Sequence, residues 1–458
     1  MVYETLKELS AAVAAGEVAP SELVQVSLER LREYGPELRC VVTLVEEAVE
    51  EARGLDAEAQ RGRLRGPLHG VPWGAKDLLA TRCAPTTWGA YPLRNQRFNY
   101  DATVVERLRE AGAVLVAKLA MIELAGGMGY RQPNASFTGP CATPWSLKHW
   151  AGGSSSGSGA AVAAGLVPFA IGSETWGSIL SPGNNCGVTG LRPTYGRVSR
   201  FGAMALSWTL DKLGPLCLSA EDCGLVLEAI AGPDQRDPST HPKGWRYAPK
   251  EGEFKLGIPK GVLEGRHQAV AENFQESLRV LEGFCVLEEV EFPEFPYVEV
   301  TSTILNCEAA SAFESFVAKG LDRMLTAPED RYGHYPRTQI LATDYLRALR
   351  LRSKMCVLAE KLLEGLDALV APTSMGLAPP IDKPFPVRRP SAHKDIMGAL
   401  GNGAGLPAIT VPNGFSEEGL PTGIQFMGHA YGENTILGIA KAYQEKTHWH
   451  RLHPPRYM

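Results

Sequence analysis

The chain has no long apolar run, no block of like charge, no Cys-x-x-Cys pair and no internal repeat. Each absence closes a class of function. The most apolar segment, Ala160 to Ile171, is short and broken by Pro168, whereas a bilayer-spanning helix needs about 20 apolar residues. Charges of both signs are interspersed and sum to −5, so no electrostatic footprint for nucleic acid is visible. The nine cysteines are scattered and odd in number, which predicts free, mostly structural thiols in a reducing compartment. The opening residues Met1-Val2-Tyr3-Glu4-Thr5 carry no basic stretch with an apolar run behind it. No secretory signal is read, and a cytoplasmic location is expected. What is present is ordinary for a soluble globular protein: 458 residues, 44% apolar and 21% charged, enough for a large buried core.

Helix and strand signals alternate along the chain. Residues 21–33 place Val24, Leu28 and Leu31 on one helical face. Thr103-x-x-Glu106 reads as a capping box opening a helix with Val104, Leu108 and Ala111 inward. Gly112 ends that helix, and residues 113–117 read as a buried strand. Residues 256–259, 368–371, 408–411 and 423–427 are further short apolar runs bounded by Pro, Gly or Asp, as buried strands are. A helix is expected over about 433–443. The alternation predicts an α/β protein with helices on a mixed or mostly parallel sheet. The polar, Pro-rich stretch 233–249 reads as a domain linker or an inserted surface loop. One unit over residues 1–458 with a variable middle section is the expectation.

Fourteen of the fifteen residues from Ala151 to Gly165 are Gly, Ala or Ser. Tiny side chains let backbone approach a reacting centre closely. A flexible linker is the bland alternative, but a small-residue helix, Ala160 to Ala164, follows at once. Gly153-Ser154-Ser155-Ser156-Gly157 formally matches the G-x-S-x-G nucleophile elbow. That motif needs a strand immediately before it, and residues 143–149 read as a poor one. The reading preferred joins three parts. Lys76 lies in an apolar segment between Val71-Pro72-Trp73 and Leu78-Leu79. Burial disfavours the charged ammonium and makes such a lysine a base near neutrality. Ser154 could then relay a proton and Ser178 could attack, a hydroxyl-bridged form of nucleophile activation.

The run from Gly152 to Gly157, continued by Glu174-Thr175-Trp176-Gly177-Ser178-Ile179, resembles the amidase signature family in order and spacing. Ser154 and Ser178 are 24 apart, as the bridging and attacking serines of that family are. Residues 187–199, 101–105 and 404–412 share the resemblance, which covers roughly 65–230 and 395–450. It implies a central mixed twisted β-sheet covered by α-helices on both faces. It implies an amide hydrolase acting on linear C–N bonds through an acyl-enzyme, with Lys76 as general base, Ser154 as bridging serine after a cis peptide, and Ser178 as nucleophile. The backbone N–H groups of Thr175, Trp176, Gly177 and Ser178 would form an oxyanion hole, Ser155 would support the network, and Met128 would lie near the acyl pocket or simply in the core. No metal and no organic cofactor are implied. The partner is a small-molecule amide, with neither nucleic acid nor membrane, and a homo-oligomer is left open. The alternative is the glutaminase subunit of a tRNA-dependent amidotransferase, which would need a partner subunit. A catalytically silent scaffold is the third reading.

The sequence departs from the family at three places. Trp176 stands where most members have Gly, and its ring narrows the pocket or packs behind it. Leu180 replaces the usual Arg, so Glu174 needs another partner, for which Arg192 is the candidate. Gly432, in Tyr431-Gly432-Glu433, stands where glutamine-specific subunits typically carry Asp. Substrate pockets are expected within about 230–345, where Trp245, Tyr247, Phe313, Phe316, Tyr332 and Tyr335 line a pocket or pack the core. Ser391-x-x-Lys394 matches an S-x-x-K motif without its companions. His448, His450 and His453 precede Pro454-Pro455 and are expected in an exposed end rather than at a metal.

Overall fold

The structure is a computed structural model in which residues 2–129, 131–385 and 395–458 are described; Ser391-x-x-Lys394 lies outside them. The short apolar runs become strands: β1 (Val41–Leu44), β2 (Pro72–Lys76), β3 (Val114–Leu119), β4 (Ala142–Thr143), β5 (Ser146–Trp150), β6 (Phe169–Glu174), β7 (Thr189–Arg192), β8 (Lys212–Cys217), β9 (Phe254–Pro259), β10 (Cys285–Val290), β11 (Ala368–Pro372), β12 (Ala408–Phe415) and β13 (Pro421–Gly428). Eleven of them make one sheet in the order β1-β3-β2-β6-β8-β7-β12-β13-β11-β9-β10. Its pairings are parallel around β2 and β9 and antiparallel elsewhere. This is the mixed α/β architecture expected, a large mixed sheet flanked by helices. β8 and β9, on either side of residues 233–249, belong to the same sheet, and that stretch forms neither helix nor regular strand.

β2 is buried along its whole length between β3 and β6. Trp73 stacks on Phe169 across that boundary, with ring centroids 6.0 Å apart. The Gly/Ala/Ser run forms the helix Ser156–Ala163, every residue of which is buried. Its small residues have a steric cause. A Cβ on Gly157 would come within 2.4 Å of the Cys40 carbonyl oxygen and 2.5 Å of the Ala120 nitrogen, both backbone atoms that cannot step aside. The helix therefore rests directly on main chain, and its leading turn is fixed under the carboxyl ends of β2 and β6.

Three local expectations are corrected. Thr103 does not cap its helix: Ala102 holds the N-cap position without a side-chain bond. The Thr103 hydroxyl instead donates to Asp234, and Glu106 pairs with Arg236. Charged partners from residues 233–249 outcompete the local cap. Residues 143–149, read as a poor strand, supply most of the β4–β5 hairpin. It stands apart from the main sheet, held by backbone bonds that include Trp150 N–H to the Pro379 carbonyl at 2.9 Å. The C-terminal end is not simply exposed. Tyr457 is fully buried, and the His453 ring stacks on Tyr3 at 3.9 Å. Among the described residues no His/Cys/Asp/Glu group could hold a metal ion, and no helix is long and apolar enough to cross a membrane.

Candidate active site

Lys76 ends β2 and is fully buried. Its Nζ donates to Ser154 Oγ at 2.7 Å and to Ser173 Oγ at 2.8 Å. Among the described residues it forms no ion pair. Burial pulls the ammonium from 10.5 down to about 7, against the opposing fields of the Asp211 and Glu174 carboxylates. Ser154 follows a cis peptide bond, and its carbonyl accepts from the Ile122 N–H at 3.1 Å. Ser155 is woven into the same knot. Its hydroxyl donates to the Ser173 carbonyl and accepts from the Ser173 N–H, both at 3.2 Å. Its own N–H reaches the Ser178 carbonyl at 3.3 Å.

Ser178 lies in the turn between β6 and the helix Leu180–Cys186 and is 8% exposed. Among the described residues its hydroxyl makes no hydrogen bond to Ser154. The turn is shaped by Glu174. One carboxylate oxygen accepts the N–H groups of Ile179 and Leu180 at 2.9 and 3.1 Å, and the other accepts Arg192 Nη1 at 2.7 Å. Burial pushes this carboxyl up, but the charges of Arg192 and Lys212 and the hydrogen bonds outweigh it and hold it below its usual range. Arg192 is thus the partner of Glu174 in place of the missing arginine at 180. With Glu174 engaging the amides beyond the turn, those of Thr175, Trp176, Gly177 and Ser178 meet no acceptor among the described residues. Gly177 has φ of +81°, a conformation that favours glycine.

The Trp176 ring packs against a second apolar cluster, and its Nε1 donates to Asp395 at 2.9 Å. Trp176, like Ser178, is not among the residues that line the cavity beside this turn. That cavity, about 200 Å³, has Leu78, Ala125, Met204, Leu206 and Leu213 as apolar wall, with Ser173, Thr175 and Asp211 as polar wall. Arg200, Trp208, Arg236 and Asp237 also line it. Met128 is 2% exposed in the main core and is not among its lining residues. Nor are the six aromatics of 245–335: Phe313 and Phe316 are buried, Trp245 and Tyr247 pack against the core, and Tyr332 and Tyr335 are exposed. The walls come chiefly from 200–213 rather than from 230–345, because that segment leads straight into β8 beside β6.

Two residues of this site escape a reading of the sequence. Ser173 shares the lysine with Ser154; its only signal is its place one residue before Glu174 at the end of a buried strand. Asp211 accepts the Thr175 hydroxyl at 2.5 Å and the amides of Leu206 and Ser207 at 2.8 and 2.9 Å. Nothing local in Leu210-Asp211-Lys212 announces it.

Comparison with known proteins gives the family and the fold. A family model described as Amidase matches residues 22–437. The chain is 35% identical to the A-type subunit of the glutamyl-tRNA(Gln) amidotransferase of Moorella thermoacetica, over 99% of this chain and 99% of that protein. It is 36% identical to the corresponding amidotransferase subunit of Chloroflexus aurantiacus, over 98% of each. Among solved structures, the native peptide amidase of Stenotrophomonas maltophilia superposes with a TM-score of 0.86 at 31% identity, covering 97% of each chain. The corresponding glutamyl-tRNA(Gln) amidotransferase subunit of Thermotoga maritima gives a TM-score of 0.80 at 29% identity, over 97% of this chain and 95% of that one. The chain therefore belongs to the amidase signature family, amide hydrolases that act on C–N bonds.

Proposed function

We propose that the chain hydrolyses a carboxylic amide to an acid plus ammonia or an amine through Lys76, Ser154 and Ser178. One observation carries this reading: a fully buried lysine at 2.7 Å from a serine hydroxyl and without a carboxylate partner. A lysine held near 7 is in good part neutral at physiological pH and accepts a proton from Ser154, which takes one from Ser178. Ser178 Oγ bonds the amide carbon, and the oxyanion that develops is met by the unengaged N–H groups of residues 175–178. The proton returns through Ser154 to the leaving nitrogen, the C–N bond breaks and an acyl-enzyme remains. Water, activated by the same relay, releases the acid. The test is labelling by a fluorophosphonate together with ammonia release from a panel of aliphatic, aromatic and peptide C-terminal amides. Both are expected to vanish in Ser178→Ala; persistence of either overturns the assignment.

A second reading, the glutaminase subunit of a tRNA-dependent amidotransferase with a partner subunit, is favoured by the relatives of that name at 35–36% identity. Against it stands the chemistry at Gly432. The neighbouring Glu433 is fully engaged by Arg197 at 2.9 Å and by the Thr194 N–H at 2.9 Å, so it offers no free carboxylate for an amino group. Glutaminase activity that appears only when partner subunits are added would decide for this second reading.

A further inference from the structure

Asp211 immediately precedes β8 and faces the cavity with 9% exposure. Both of its oxygens are used, and by two different parts of the site. One accepts the amides of Leu206, which lines the cavity, and of Ser207 next to it. The other accepts the hydroxyl of Thr175, which begins the turn carrying the unengaged amides. Only a carboxylate accepts on both sides in this way; an amide side chain would present an N–H₂ to one set of donors. We propose that Asp211 is a positioning residue that ties the Thr175–Ser178 turn to the 204–206 wall of the cavity and shapes the field in which Lys76 gains and loses its proton. The proposal rests on Lys76 and Ser178 acting as base and nucleophile.

The charged groups around Lys76 make the expected direction definite. The carboxylates whose fields reach it are Asp211 and Glu174. Glu174 is paired with Arg192 and lies in the field of Lys212, while Asp77 on the same strand end is paired with Lys118. Burial pushes the Asp211 carboxyl up, against its hydrogen bonds from Thr175, Ser207 and Leu206 and the field of Arg200. Removing the Asp211 charge leaves Lys76 with less opposing negative charge, so its proton is lost at lower pH.

The experiment measures the rate of fluorophosphonate labelling against pH in the full chain. In that reaction Ser178 Oγ bonds phosphorus, fluoride leaves, and the hydroxyl proton passes through Ser154 to Lys76. For Asp211→Asn the maximal rate is expected to fall by about 10- to 100-fold, as for a displaced catalytic group. Its acid limb is expected to move down by about one pH unit. Thr175→Val, which removes the tie and keeps the charge, is expected to lower the maximal rate and leave the limb in place. An unmoved limb in folded Asp211→Asn overturns the proposal. Should that variant not fold by circular dichroism, Thr175→Val decides alone, and a wild-type maximal rate in it overturns the tie. Absence of labelling in the wild-type chain would instead overturn the assignment of Ser178.

Discussion

Two lysines on adjacent strands, Lys76 of β2 and Lys118 of β3, are both fully buried. They sit one register step apart, Ala75 opposite Lys118 and Lys76 opposite Leu119. Burial pulls both ammonium groups down. Their company differs. Lys118 Nζ lies 3.0 Å from the Asp77 carboxylate and donates to Thr86 Oγ1 at 2.7 Å and the Leu79 carbonyl at 2.9 Å. Lys76 meets two serine hydroxyls and no carboxylate in contact. Burial alone therefore does not make a base. A contact carboxylate turns a buried lysine into a structural ion pair, and its replacement by hydroxyls leaves a group that can give up its charge and pass protons on.

The contrast is broken or sharpened by five measurements. Lys76→Ala should lower kcat/KM by up to about 10⁴-fold, the range of a general base, while the protein stays folded. Lys118→Ala should leave Asp77 buried and unpaired and lower the unfolding free energy by about 3–5 kcal/mol in urea melts. Equal loss of rate per folded molecule in the two variants would erase the distinction.

The pH dependence comes next. With Lys76 as base, the labelling rate should fall about tenfold per unit below its value of about 7. Stability follows the same proton. Between about 7 and 10.5 the unfolded chain holds a proton at this lysine that the folded chain does not, so the contribution of Lys76 to stability rises with pH across that window. Lys76→Met should flatten that part of the rise in urea titrations. The smallest effect is expected of Ser173→Ala. It removes one of the two hydroxyls on Lys76, worth about 1 kcal/mol or a fivefold change in kcat, with Ser154 still in place.

Much of the fold is legible because buried strands and amphipathic helices write their period into the chain. Residues 368–371, 408–411 and 423–427 all fall within strands, and residues 433–443 fall within the helix Glu433–Thr447. The Gly/Ala/Ser run after Ser154 is legible because a cramped main-chain contact, seen at Gly157, admits only small residues. The side-chain bond of Thr103 and the strand character of 143–149 are not legible because distant partners settle both: Asp234 takes the hydroxyl, and Pro379 takes an amide of the hairpin.

By itself, then, the order of residues determined a lysine in an apolar strand, two serine turns at a set separation and an acid needing a counter-charge. Only the folded chain decided that Ser173, 97 positions from Lys76, shares its ammonium. It settled Arg192, a candidate from the sequence, as the partner of Glu174, and it alone brought Asp211 to Thr175. The reason is physical: local pattern reports which face of an element leaves water, whereas the partner of a buried polar group is whatever the fold brings within reach from elsewhere in the chain.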